Sequence, residues 1–86
     1  MANQLSDLDR TKRAVAALVT CVVTTLNETE PSFQERFLAN LDKAYCKFQD
    51  DTEDDVIQEL ELLSWTRSLL TGFDHIRGQG KPFLAA

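Results

Sequence analysis

The chain has few cysteines, histidines, glycines and prolines, and each shortage excludes a class of protein. Cys21 and Cys46 are too few for a disulfide framework and form no CxxC pair of a zinc or redox site. His75 has no second histidine with which to share a metal. The three glycines form no phosphate-binding loop. We expect reduced thiols, with a bridge between the first two helices as the alternative, and no metal, cofactor or catalytic site.

Basic residues and long apolar runs are also scarce. Nine Lys and Arg stand against fourteen Asp and Glu, which gives a formal net charge of −5. Nucleic acids and anionic membranes are bound largely through Lys and Arg, so neither is an expected partner. No run reaches the about 20 apolar residues of a transmembrane helix. Residues 10–23 match a secretion signal poorly. We therefore expect a soluble, cytoplasmic protein.

What the chain does have is apolar residues at helical spacing along one small domain. Hydrophobic residues make up 43% of the chain, and Gly and Pro are rare enough to argue against disorder. The spacing predicts an all-α fold of three helices in an up-down-up arrangement. We expect a single domain over residues 1–86, with helices over about 6–27, 31–49 and 52–77 and a loose tail over 78–86.

The first helix is predicted to begin at a capping box formed by Ser6 and Asp9. At 100° per residue its apolar face consists of Leu8, Val15, Leu18, Val19, Val22, Val23 and Leu26. Its polar face consists of Arg10, Arg13, Thr20 and Thr24. The many β-branched residues lower helix propensity, so we expect this helix to depend on tertiary packing.

The second helix has the clearest amphipathic pattern in the chain. Pro31 suits its first turn, and Ser32 with Glu35 forms a second capping box. Its apolar face is mainly aromatic and consists of Phe33, Phe37, Leu41, Ala44, Tyr45 and Phe48. A basic stripe of Arg36, Lys43 and Lys47 flanks this face. We interpret that stripe as a solvated surface that pairs with nearby acids such as Glu59 or Glu61.

The third helix has two apolar stripes, and only one of them can pack inside so short a chain. The first consists of Val56, Leu60, Leu63 and Leu70, and the second of Leu62, Trp65, Leu69, Phe73 and Ile76. The spacing continues through Gly72, so we predict that the helix ends at Gly78. Arg67 lies within the first stripe and is expected either to extend to its edge or to meet a carboxylate across an interface.

These patterns favour a function in protein binding. We predict that Leu62, Trp65, Leu69, Phe73, Ile76 and Arg67 form an interface, which completes a homodimeric helical bundle or binds another protein. The acidic residues 50–55 do not have calcium-loop spacing, because Val56 stands where the loop needs glycine. The alternative function is an acidic inhibitor that uses this cluster to block a basic nucleic-acid-binding or nuclease site. We do not expect an enzyme, since no acid, base or nucleophile has a matched partner.

Overall fold

The computed structural model describes residues 7–50, 56–74 and 77–85. Helix α1 spans Asp7–Thr29, α2 spans Phe33–Gln49 and α3 spans Ile57–Thr71, followed by two short strands, β1 at Phe73–Asp74 and β2 at Gly78–Gln79. Each helix packs against the other two. The predicted all-α arrangement of three helices is confirmed.

The directions of the helices follow from their contacts. Lys12, near the start of α1, donates hydrogen bonds to Gln58 and Glu61, near the start of α3. Farther along both helices, Ala17 and Leu69 line the same cleft. The helices α1 and α3 therefore run in the same direction, and α2 returns between them.

The core is thin and partly polar. Its buried apolar residues are Ala16, Val23, Leu41 and Leu70, and its buried polar residues are Lys12, Thr20 and Thr66. The Thr20 hydroxyl donates to the carbonyl oxygen of Ala16 at 2.8 Å, and the Thr66 hydroxyl donates to that of Leu62 at 2.9 Å. Each threonine hydroxyl thus has a hydrogen-bond acceptor in its own helix, which offsets the free-energy cost of burying the hydroxyl.

Helix α1 packs through a different face from the one that its sequence predicts. Thr20, assigned to the polar face, is 1% exposed, whereas Leu18 and Val22, assigned to the apolar face, are 64% and 52% exposed. The small side chains of Ala16 and Thr20 permit close approach of the neighbouring helices, because the distance between helix axes depends on the side chains at the contact. Leu18 and Val22 therefore remain on the outside, whereas Val23, also assigned to the apolar face, is buried as predicted.

Asn27, at the end of α1, caps the start of α2. Its Oδ1 accepts a hydrogen bond from the backbone N–H of Gln34 at 2.9 Å. Ser32 makes no side-chain capping bond, so the predicted Ser32–Glu35 capping box is wrong. The physical reason is that Asn27 lies close enough across the turn to satisfy a free N–H of the first turn. Ser6, the predicted cap of α1, lies outside the described residues.

Helix α3 ends at Thr71, so the predicted end at residue 77 is wrong. Gly72 follows in the left-handed conformation with φ of 81°, and its N–H donates to the carbonyl of Ser68 at 2.8 Å. Glycine adopts this conformation without the steric cost that a side chain imposes, and it commonly ends helices. Strand β1 then pairs antiparallel with β2, with Phe73 opposite Gln79.

The described part of the predicted loose tail, residues 78–85, folds back on the end of α3. The N–H of Gly80 donates to the Gly72 carbonyl at 2.7 Å, and the N–H of Phe83 donates to the Leu69 carbonyl at 2.8 Å. The Gln79 side chain donates to the Thr71 carbonyl at 2.9 Å. These bonds satisfy carbonyls that a helix end leaves free, which is why this segment is anchored rather than loose.

Candidate interaction surfaces

An apolar surface runs along the outer side of α1. We call it the α1 stripe, and it consists of Leu8, Val15, Leu18, Val22 and Leu26, which are 50%, 38%, 64%, 52% and 42% exposed. At 1.5 Å per residue it is about 27 Å long, and its side chains span about 80° of the helix circumference. The other residues within this sector are Thr11 and Thr29, so the stripe contains no charge.

Helix α3 packs against both other helices, and one residue of each predicted stripe has a neighbour within the chain. On one side, Nη1 of Arg67 lies 3.2 Å from Oδ1 of Asp42 in α2. On the other side, the Trp65 ring lies beneath Lys12 of α1, whose Nζ is 4.9 Å from the ring centroid. Thr66, between the stripes, is buried. Trp65 of the second stripe therefore has a neighbour in α1, although Leu62, Trp65 and Leu69 remain half-buried.

The structure does not bring the predicted interface residues into one surface. Leu62, Trp65 and Leu69 are half-buried on the α1 side of α3. Arg67 is on the α2 side, and Phe73 is in β1, 43% exposed. Ile76 lies outside the described residues. Arg67 is 45% exposed and pairs with Asp42 of the same chain, so it extends to the edge of its stripe, which is the first of its two predicted alternatives.

A cleft of about 710 Å³ remains between α1, α3 and the C-terminal segment. Its apolar lining consists of Ala14, Ala16, Ala17, Trp65, Leu69 and Phe83, and its polar and charged lining consists of Asp9, Arg13, Glu61, Ser68, Asp74 and Arg77. Acidic and basic side chains both contribute, so the cleft does not favour one sign of ligand charge. Phe83 completes one wall because the C-terminal segment folds back, a contact that the sequence did not predict.

Lys12 is the charged residue that sequence reasoning missed. Its side chain is 5% exposed, its Nζ donates to Gln58 and Glu61, and it lies 3.4 Å from Oδ1 of Asp9. The hydrogen bond to the Glu61 carboxylate raises the pKa of Lys12 above its ordinary value of 10.5, although desolvation opposes this effect. The signal that could have revealed Lys12 is its spacing of four residues from Ala16, on the face that packs inward.

Other candidate sites resolve simply. Cys21 and Cys46 are free thiols and both are exposed, so the alternative bridge between α1 and α2 is not formed. Over residues 7–50, 56–74 and 77–85, no three His, Cys, Asp or Glu side chains gather as metal ligands. No helix in the same ranges has both the length and the apolar character to cross a membrane. The chain matches no protein-family model, no curated protein and no solved structure.

Proposed function

We propose that this protein is a small interaction module that binds another protein chain through the α1 stripe. The observation that carries the proposal is the exposure of five large aliphatic side chains, 38% to 64% each, on one side of one helix. Soluble monomers rarely expose large contiguous apolar patches, and such patches commonly mark binding surfaces. The function is the one that the sequence favours, but the surface is on α1 rather than on α3.

The two-sided character of α1 supports this proposal. Its inner side buries Ala16 and Val23, while its outer side presents Leu18 and Val22 to solvent. An ordinary surface helix of a globular protein is apolar on one side only. A helix that is apolar on both sides is suited to lie between two packed layers, and the second layer would come from the partner.

The acidic-inhibitor alternative has less support from the described residues. Residues 51–55, which contain most of its acidic cluster, lie outside them. The Glu61 carboxylate accepts a hydrogen bond from Lys12, so it is engaged within the chain. Glu59 is exposed on α3. Asp50 of the cluster is also described and exposed, and two exposed carboxylates are a weak basis for binding a cationic site, because exposed ion pairs contribute little free energy.

Affinity capture from native cells tests the proposed surface. Wild-type protein is compared with Leu18→Glu, which places a charge in the α1 stripe, and with Ile57→Glu as the matched control. Leu18 and Ile57 are 64% and 58% exposed, and Ile57 is on α3, outside the stripe. We expect Leu18→Glu to lose the proteins that wild type and Ile57→Glu retain, as identified by mass spectrometry.

Two other outcomes would count against the α1 stripe. If Leu18→Glu captures the same proteins as wild type with equal yield, the stripe is not the binding surface. If capture survives Leu18→Glu but disappears on adding salt, charged contacts dominate and the acidic-inhibitor alternative is favoured. As a control for folding, circular dichroism must show that Leu18→Glu has the same helical content as wild type.

A further inference from the structure

The α1 stripe follows the seven-residue repeat of a two-stranded coiled coil. Leu8, Val15 and Val22 are seven residues apart and occupy the first position of the heptad, called a. Leu18 occupies the fourth position, d, between two threonines at the equivalent places, Thr11 and Thr25. Val15 and Val22 at a, with Leu18 at d, match the pattern that favours two parallel helices, whereas Leu8 at a and the two threonines at d depart from it. The stripe is therefore shaped to pack along another helix with the same repeat.

We infer that the chain covering the α1 stripe is a second copy of this protein, with the two α1 helices parallel about a two-fold axis. In a parallel, in-register pair each residue of the stripe meets its own equivalent, so one surface supplies both halves of the interface. The inference rests on the proposed function, and it adds the identity of the partner and the orientation of the pair.

The charges beside the stripe select the parallel orientation. The basic stripe of α2, Arg36, Lys43 and Lys47, is exposed. It adjoins α1, since Arg36 pairs with Glu30 just beyond the end of that helix. The opposite flank of the α1 stripe is mixed in charge, since it includes the exposed acids Asp7 and Glu28 and the exposed base Arg10.

Flank contacts differ between the two possible orientations. In a parallel pair, the basic flank of one copy faces the mixed flank of the other, so the two basic stripes of α2 lie apart on opposite sides of the pair. In an antiparallel pair, flanks of the same type meet, and the two basic stripes of α2 would face each other. Like charges placed together are unfavourable and suppress such arrangements.

The area of the stripe predicts a reversible dimer. Burying a whole aliphatic side chain removes about 60 to 120 Å² of apolar surface from water. Five side chains that are about half exposed therefore supply about 150 to 300 Å² per copy. A standard stable interface buries about 800 Å² per partner. We therefore expect a dimer that dissociates on dilution, with a dissociation constant on the order of micromolar or weaker.

Analytical ultracentrifugation tests the identity of the partner. We expect the mass of wild type and of Ile57→Glu to rise from one copy to two between about 1 µM and about 1 mM. Leu18→Glu should remain a monomer throughout. A wild-type protein that is monomeric at about 1 mM would overturn the inference. The proposed function would then still stand if Leu18→Glu loses captured proteins.

Cysteine cross-linking tests the orientation and does not depend on a disruptive variant. Cys21→Ser and Cys46→Ser provide a background without native thiols, into which Val22→Cys or the control Ile57→Cys is introduced. In the parallel pair residue 22 faces its equivalent, within the about 4 to 7 Å between Cα atoms that a disulfide requires. In an antiparallel pair the Cα atoms of the two copies of residue 22 are about 16 Å apart. We expect glutathione buffer to yield a covalent dimer with Val22→Cys and not with Ile57→Cys, whereas a dimer that does not cross-link would overturn the parallel arrangement.

Discussion

Replacing Gly72 with alanine should destabilise the fold through two separate effects. Its φ of 81° is strained for a residue with a side chain, at a cost of about 1 to 2 kcal/mol. In addition, a Cβ would lie 2.5 Å from the carbonyl oxygen of Gly80, so the C-terminal segment would have to move. We expect the melting temperature, measured by circular dichroism, to fall by about 5 to 15 °C.

Gly78→Ala is the matched control, because it separates backbone strain from the close contact. Gly78 has nearly the same φ, 83°, but no atom of the described residues lies within 4 Å of the position that a Cβ would occupy. Gly78→Ala should therefore show the strain alone, and Gly72→Ala should cost about 1 to 3 kcal/mol more, as overpacking does. Equal losses for the two variants would show that the C-terminal segment does not pack against Gly72.

Lys12 should make stability depend on pH in the alkaline range. Its folded-state pKa is raised above 10.5, chiefly by the hydrogen bond to Glu61, so folding favours the protonated form. This contribution is complete below pH 10.5 and is lost as pH rises through the folded-state pKa. We expect the difference in unfolding free energy between wild type and Lys12→Met to shrink in urea titrations from about pH 9 to about pH 12. A constant difference would mean that Lys12 is not paired as the structure shows.

At the scale of helices, two neighbouring valines report which side of α1 is the core. Val23 is 2% exposed, whereas Val22 is 52% exposed. Both Val→Ala changes raise helix propensity by a similar amount. The propensity effect therefore cancels when the unfolding free energies of the two variants are compared. In dilute protein we expect Val23→Ala to lose about 2 kcal/mol more unfolding free energy than Val22→Ala, as measured in urea. Equal losses would place the α1 stripe inside the fold.

The errors in predicting helices have local causes. Helix α2 begins at Phe33 and ends at Gln49, close to its predicted range, because its apolar spacing is regular. Helix α3 is shorter than its spacing predicts because Phe73 keeps helical spacing with Leu69 although the backbone has already turned at Gly72. Periodicity reports where apolar residues fall along the chain, and it does not distinguish a helix from a turn that places one more residue nearby.

For the whole molecule, self-association should depend only weakly on salt. The Debye length falls from about 10 Å at 0.1 M to about 3 Å at 1 M, which screens exposed charges but leaves apolar burial in place. We expect the dissociation constant of the dimer, measured by ultracentrifugation, to change less than about tenfold over this range. A steeper weakening would show that the charged flanks, rather than the α1 stripe, supply most of the binding free energy.

The surface that we propose is of the predicted kind, an apolar side of a helix, but it lies on a different helix from the predicted one. The sequence indicates more apolar helix surface than a short chain covers, and ten large apolar residues of the described chain are substantially exposed, from Leu8 to Leu84. The predicted location on α3 assumes that a helix offers one side to the core. Because α3 packs against both α1 and α2, a residue of each stripe has a neighbour within the chain, and the surface that we propose lies on α1 instead.

The sequence by itself determined the three helices, since the spacing of their apolar residues acts between residues close together in the chain. Only the tertiary structure decided which side of α1 faces inward. Ala16 and Thr20 occupy the core because small side chains let the helices approach closely, and the Thr20 hydroxyl bonds to its own helix. That choice depends on the distance and angle between helices, which no local pattern contains, and it leaves Leu18 and Val22 facing solvent.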